Sequence, residues 1–271
     1  MRITEKASLW PQLTAQSCQI NKVSPDKLQE LNKAQLFLWR ALNIYDDFLD
    51  NEGIPANLPL ANNYFRLFLK TIYQEKVLKN YLDIIEQILE DLEKANLEEI
   101  KREKIIIKNH IILPKNNIIY FSNLESLSKK SLSLAILPLT VYLYNNNCKI
   151  KEINNFLDFF RSALSAKQLA DDLRDWYSDL INKKMTPATE ALLNKIKADR
   201  VKISMNEKNK LSALFFSQPL FSLNVSLFNL IKESQEKSKK LNFKNSAPLL
   251  INILEPLERK VNIIQKLKDM L

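Results

Sequence analysis

The sequence predicts an all-α fold, a single helical domain spanning residues 1–271. Three observations carry that reading. The chain has one glycine, Gly53, in 271 residues, and tight hairpin turns want glycine, with asparagine a substitute at a few sites. No clear run of alternating β-branched residues marks a strand. Apolar residues return at helical spacing almost everywhere. About eight to ten helices packed around a central apolar cavity form the economical arrangement.

The elements follow in order. In "SPDKLQELNKAQLFLWRALNIYDDFLDNEG" Ser24 is placed to cap a helix, Pro25 takes its first position, and Gly53 with Pro55 ends it. A second helix is expected from about Pro59 to Asn80. A third covers "YLDIIEQILEDLEKANLEEIKREKIII", charged on one face and Leu/Ile on the other. The pattern breaks at Pro114 in "HIILPKNNIIYF". Another helix is expected in "SNLESLSKKSLSLAILPLTVYLYNN", kinked at Pro138. A long helix fills "KEINNFLDFFRSALSAKQLADDLRDWYSDLI", and "TPATEALLNKIK" reads as a cap followed by proline at the first helical position. Two or three more helices complete the chain, the last near "SAPLLINILEPLERKVNIIQKLKDML".

Composition narrows the function. Hydrophobic residues make up 46% of the chain, enough for a sizeable core, and no apolar run reaches the ~18 residues of a membrane span. "MRITEKASLWPQL" lacks the apolar stretch of a secretory signal, and Cys18 and Cys148 are isolated thiols, so a reducing cytoplasm is expected. The net charge of +9 is spread along the chain rather than gathered on a stripe with interleaved aromatics, which argues against nucleic acid as a partner. A positive background also attracts small polyanions such as diphosphates. His110 is the only histidine, so no histidine triad or multi-histidine metal site can be built.

Aspartate is distributed unevenly. Seven of thirteen lie in two short stretches, Asp46, Asp47 and Asp50, then Asp171, Asp172, Asp175 and Asp179 in "DDLRDWYSD". At ~100° per residue Asp46 and Asp50 share a helix face, as do Asp171, Asp175 and Asp179. Like charges at that spacing repel, and both clusters come late in their helices, against the negative end of the dipole. A bound cation would remove both penalties. Carboxylates without His or Cys suit Mg2+, with Mn2+ an alternative, and magnesium commonly shares its shell between a few carboxylates and substrate phosphates.

These two segments resemble the paired aspartate-rich motifs of the class I isoprenoid synthase superfamily, all-α enzymes that hold several Mg2+ ions around a prenyl diphosphate. Asp46 to Asp50 matches the first motif, DDxxD, and "QLADDLRD", Gln168 to Asp175, is similar to the second motif of polyprenyl diphosphate synthases. The second segment also resembles the one-five-nine spacing of terpene cyclases, through Asp171, Asp175 and Asp179, and the second motif of squalene/phytoene synthases.

The resemblance implies metal ligands at Asp46, Asp47, Asp50, Asp171, Asp172, Asp175 and Asp179, with Asp46, Asp50, Asp171 and Asp175 the catalytic carboxylates. It further implies diphosphate binding by Lys130, followed by Ser131 as in polyprenyl synthases, with Lys129 the alternative. Lys167, Gln168 and Arg174 flank the second motif as further substrate-binding residues. Tyr45, Phe156 and Phe160 are candidates to face a carbocation, or are simply core, and Ala41 and Leu42 lie where the family sets cavity depth. A homodimer is the expected assembly. One departure stands out: Asn51, Glu52 and Gly53 replace the arginine pair that usually follows the first motif, which bears on the use of isopentenyl diphosphate. The implied reaction is prenyl transfer, with cyclisation or head-to-head condensation as alternatives and a non-catalytic partner subunit as another.

Overall fold

The computed structural model describes residues 9–18, 22–50, 52–102, 104–114, 119–144, 148–241, 249 and 252–270. Among these, ten α-helices follow in chain order. They are α1 (Trp10–Cys18), α2 (Pro25–Leu49), α3 (Leu58–Gln74), α4 (Leu82–Lys101), α5 (Ile136–Leu143), α6 (Ile150–Ile181), α7 (Pro187–Ala198), α8 (Lys208–Ser217), α9 (Pro219–Lys239) and α10 (Glu255–Met270). Short 3-10 turns at Pro55–Asn57, Lys76–Tyr81, Leu124–Lys130 and Leu132–Ala135 link them.

Local chemistry sets the helix starts. Ser24 accepts a hydrogen bond from the Lys27 N–H at 3.2 Å with Pro25 next in line, and Thr186 forms a reciprocal capping box with Thr189 ahead of α7. The first, fifth and sixth helices of the sequence reading are where expected. Four others differ. The second predicted helix stops at Gln74, and its tail to Asn80 lies in a 3-10 turn. The segment before Pro138 is not one kinked helix but two 3-10 turns followed by α5, so Pro138 lies in a first turn, where its missing N–H costs nothing. The last helix runs from Glu255, while most of the predicted start at residues 246–251 lies outside the described residues.

The fourth difference is a small hairpin. Helix α4 ends at Lys101, and Ile106 and Ile107 of the predicted helix enter strand β1 (Ile106–Lys108), antiparallel to β2 (Ile111–Leu113). Asn109 and His110 make the two-residue turn with φ of 50° and 63°, so a left-handed turn forms here without glycine. The β-branched isoleucines on either side favour the extended state, and Ile112 N–H bonds the Ile203 carbonyl at 3.1 Å.

The chain forms two compact units, each of three segments. The first comprises Met1–Ile100, Lys129–Arg161 and Ser234–Ile253. In it α1 packs on α2 and α5, and α2 lies along α3. Its core holds Leu31, Leu38, Phe68, Ile72 and an aromatic chain from Trp10 through Phe160 and Phe156 to Tyr142, with centroids 4.8–5.7 Å apart. The buried Glu75, at the end of α3, joins Lys27 of α2 at 2.7 Å and the Tyr144 hydroxyl after α5 at 2.6 Å.

The second unit comprises Lys101–Ser128, Ser162–Glu233 and Leu254–Leu271. Its core holds Leu169, Leu173 and Leu180 of α6 with Leu192 and Ile196 of α7, and Trp176 stacks on Phe215 of α8 at 4.4 Å. No single helix among the described residues is long and apolar enough to cross a membrane.

Candidate functional site

The first aspartate cluster occupies the end of α2. Asp46 and Asp47 are exposed in its last turn, and Asp50 is the C-cap, its N–H bonded to the Asp46 carbonyl at 2.9 Å. The helix thus winds through the motif and puts Asp50 one turn above Asp46. No basic residue lies in that last turn to offset three negative charges at the negative end of the dipole.

The offset comes from elsewhere in the same unit. Lys130 Nζ lies 2.8 Å from Asp46 Oδ1 and 2.5 Å from Glu99 Oε2 of α4. Burial works against the Lys130 charge, but the two carboxylates beside it outweigh that and hold its pKa above the usual lysine range. Of the neighbouring pair Lys129 and Lys130, it is Lys130 that meets the motif.

Gly53 explains itself by proximity. The chain turns back after Asp50, with Glu52 N–H bonded to the Asp47 carbonyl at 2.8 Å. A Cβ at position 53 would stand 2.6 Å from the Phe48 ring and 2.9 Å from the Phe48 Cα. The chain's only glycine therefore allows close approach to the middle of the first motif. Asn51 lies outside the described residues.

The second cluster lies on α6, in the other unit. Asp172 and Asp179 are buried, while Asp171 and Asp175 are half-buried, so the predicted row of three is split by burial. Gln168 Nε2 donates to Asp172 Oδ1 at 2.9 Å, one turn away. Arg174 clamps Asp175 with two hydrogen bonds, Nε to Oδ1 at 2.9 Å and Nη2 to Oδ2 at 2.6 Å. That guanidinium holds the Asp175 carboxyl below its ordinary range. Asp171 sits among three cations, Arg174 at 3.1 Å, Lys167 at 3.3 Å and Lys260 of α10 at 3.4 Å.

The aromatic candidates divide. Phe156 and Phe160 are fully buried in the aromatic core of the first unit. Tyr45 is half-buried, and its hydroxyl donates to Asn62 Oδ1 at 2.7 Å. Ala41 is fully buried and Leu42 half-buried.

The fit to a metal can be judged from the donors. Both clusters offer oxygen alone, which suits a hard divalent ion. Among the described residues, no three acidic, cysteine or histidine side chains are gathered closely enough to cage an ion. Neither cluster by itself therefore forms a closed structural site for an ion among the described residues.

No family model matches the sequence, and no curated protein does. Solved structures do match. Geranylgeranyl pyrophosphate synthetase from the archaeon Geoglobus acetivorans superposes with a TM-score of 0.67 at 12% identity, over 94% of this chain and 84% of that one. Heptaprenyl diphosphate synthase from Staphylococcus aureus gives 0.69 at 12% identity, over 95% and 86%. A polyprenyl synthase from Caulobacter crescentus CB15, complexed with calcium and isoprenyl diphosphate, gives 0.66 at 15% identity, over 95% and 84%. This is an isoprenoid synthase fold.

Within this isoprenoid synthase fold, two residues near the clusters had no signal in the sequence. Glu99 is one of many glutamates on an amphipathic helix, and nothing in "ANLEEIK" separates it from Glu98. Lys260 lies 89 residues after Asp171. Only tertiary packing brings Glu99 to Lys130 and Lys260 to Asp171.

Proposed function

We propose that this chain is a Mg2+-dependent enzyme that ionises an allylic prenyl diphosphate, and that it acts as a prenyltransferase of the polyprenyl diphosphate synthase kind. The single observation that carries this reading is the contact of Lys130 with Asp46, because it puts the lysine expected to bind diphosphate beside the first carboxylate of the metal motif. The fold supports it, and so does the solved Caulobacter polyprenyl synthase, which is complexed with calcium, a hard, oxygen-seeking ion, and with isoprenyl diphosphate.

In this reading Asp46 and Asp50 at the end of α2 would be metal ligands of the first motif, with Asp47 a further one, and Asp171 and Asp175 of α6 would be metal ligands of the second, with Asp172 and Asp179 further ones. Bound magnesium supplies positive charge that stabilises the departing diphosphate. At the first motif Lys130 donates to a phosphate oxygen; at the second motif Lys167 and Arg174 are the phosphate donors once they leave their aspartates. Gln168 keeps Asp172 oriented. An apolar cavity shelters the allylic cation from water, with Ala41 and Leu42 setting its depth.

A second reading rests on Asn51, Glu52 and Gly53, which stand where polyprenyl synthases usually carry an arginine pair. It weakens the case for isopentenyl diphosphate and favours a cyclase or a head-to-head condensing enzyme. Incubation of labelled farnesyl diphosphate with Mg2+, with and without isopentenyl diphosphate, tests both. Product that needs the second substrate supports prenyl transfer; product formed without it supports the second reading. Farnesyl and shorter allylic diphosphates left untouched would point to a non-catalytic subunit with this fold, its acidic motifs satisfied by its own lysines and arginines.

A further inference from the structure

Lys130 is held from two sides, and only one of the two carboxylates belongs to a motif. The Asp46 side chain is 54% exposed and faces solvent, whereas that of Glu99 is 30% exposed and its Oε2 is buried. Among the described residues, Glu99 Oε2 meets no donor other than the Lys130 ammonium, at 2.5 Å. Glu99 stands in the last turn of α4, where the negative end of the helix dipole adds to its pull on a cation.

We propose that Glu99 is the positioning residue for Lys130, holding its ammonium at the mouth of the first motif so that it passes from Asp46 to the diphosphate of the substrate. This rests on the functional reading above. Lysine is a point charge on a flexible four-carbon stem, and an ammonium tied only to Asp46 would lose its anchor whenever that carboxylate turned to another cation. Glu99 keeps the second anchor. It restrains the stem before the ligand arrives, so less freedom is lost on binding. It also shares the ammonium with Asp46 and thereby leaves Asp46 available. Nothing in this arrangement requires Glu99 to touch substrate.

The test is a double-mutant cycle on inorganic pyrophosphate binding, measured by titration calorimetry with Mg2+ on the full chain. The variants are Glu99→Gln, Lys130→Met and both together, with thermal melts to establish that each is folded. With Lys130 present, Glu99→Gln weakens pyrophosphate binding about fivefold, and in the Lys130→Met background it produces no weakening. Removing a negative charge alone would tighten an anion in both backgrounds, so weakening confined to the Lys130 background isolates positioning. If Glu99→Gln fails to fold, Glu99→Asp takes its place, with the same pattern expected at smaller size. An equal change in both backgrounds overturns the role of Glu99 and leaves the functional reading intact. Wild-type chain that binds no pyrophosphate with Mg2+ overturns both.

Discussion

Lys130 and Gly53 are the two residues around which the first motif is arranged, and they differ in how readily the sequence discloses them. Gly53 is conspicuous because it has no companion in 271 residues. Its reason is steric: the ring and the Cα of Phe48 stand where a side chain would go. Gly53→Ala is expected to destabilise the fold by about 1–3 kcal/mol, the usual cost of forcing atoms into a packed place. Urea denaturation measures it, and a variant as stable as wild type would mean that the turn after Asp50 yields freely. Lys130 was legible only through family resemblance, because a lysine pair on its own is an ordinary solvated feature. Glu99 and Lys260 were not legible at all, since the contacts that single them out cross 31 and 89 residues of chain.

At the scale of elements, the sequence reading succeeded where a helix carries its own signals. Ser24–Pro25 and Thr186–Pro187 are local, and the hydrogen bonds that make them caps close within three residues. It failed at the β1–β2 hairpin, where "KIII" continues a helical pattern and the deciding choice, Asn109 and His110 in left-handed backbone, offers no glycine to advertise it. It also could not foresee the tie among α2, α3 and the end of α5 through Glu75. Burial, and then the hydrogen bond to Glu75, push the Tyr144 hydroxyl up to about 12. A folded-state pKa above the unfolded value near 10 means that the folded state keeps its proton longer. Stability from this group is therefore complete below about pH 10 and lost as pH rises through about 12. The stability gap between wild type and Tyr144→Phe should shrink across that window in denaturant titrations. A constant gap would show that Tyr144 does not carry the effect.

For the molecule as a whole, the helical class follows from scarcity of glycine and pervasive helical periodicity, and the solved prenyl synthases superpose over nearly the full chain. Function is less directly written. Each acidic cluster is already accompanied by cations of the protein itself, Lys130 at the first and Lys167, Arg174 and Lys260 at the second. Such pairs half-exposed to water contribute little to stability, and salt screens them further. They neutralise the clusters at modest strength and can give way to a stronger ligand. In the proposed function that ligand is a divalent ion bound to a diphosphate.

The most direct measurement is release of pyrophosphate from an allylic prenyl diphosphate by the wild-type chain, with Mg2+ and after chelation, beside Asp46→Asn and Asp171→Asn variants shown by thermal melting to be folded. The account predicts release that requires the metal and falls about a hundredfold or more in each variant. Release that persists in chelator, or at wild-type rate in both variants, would contradict it.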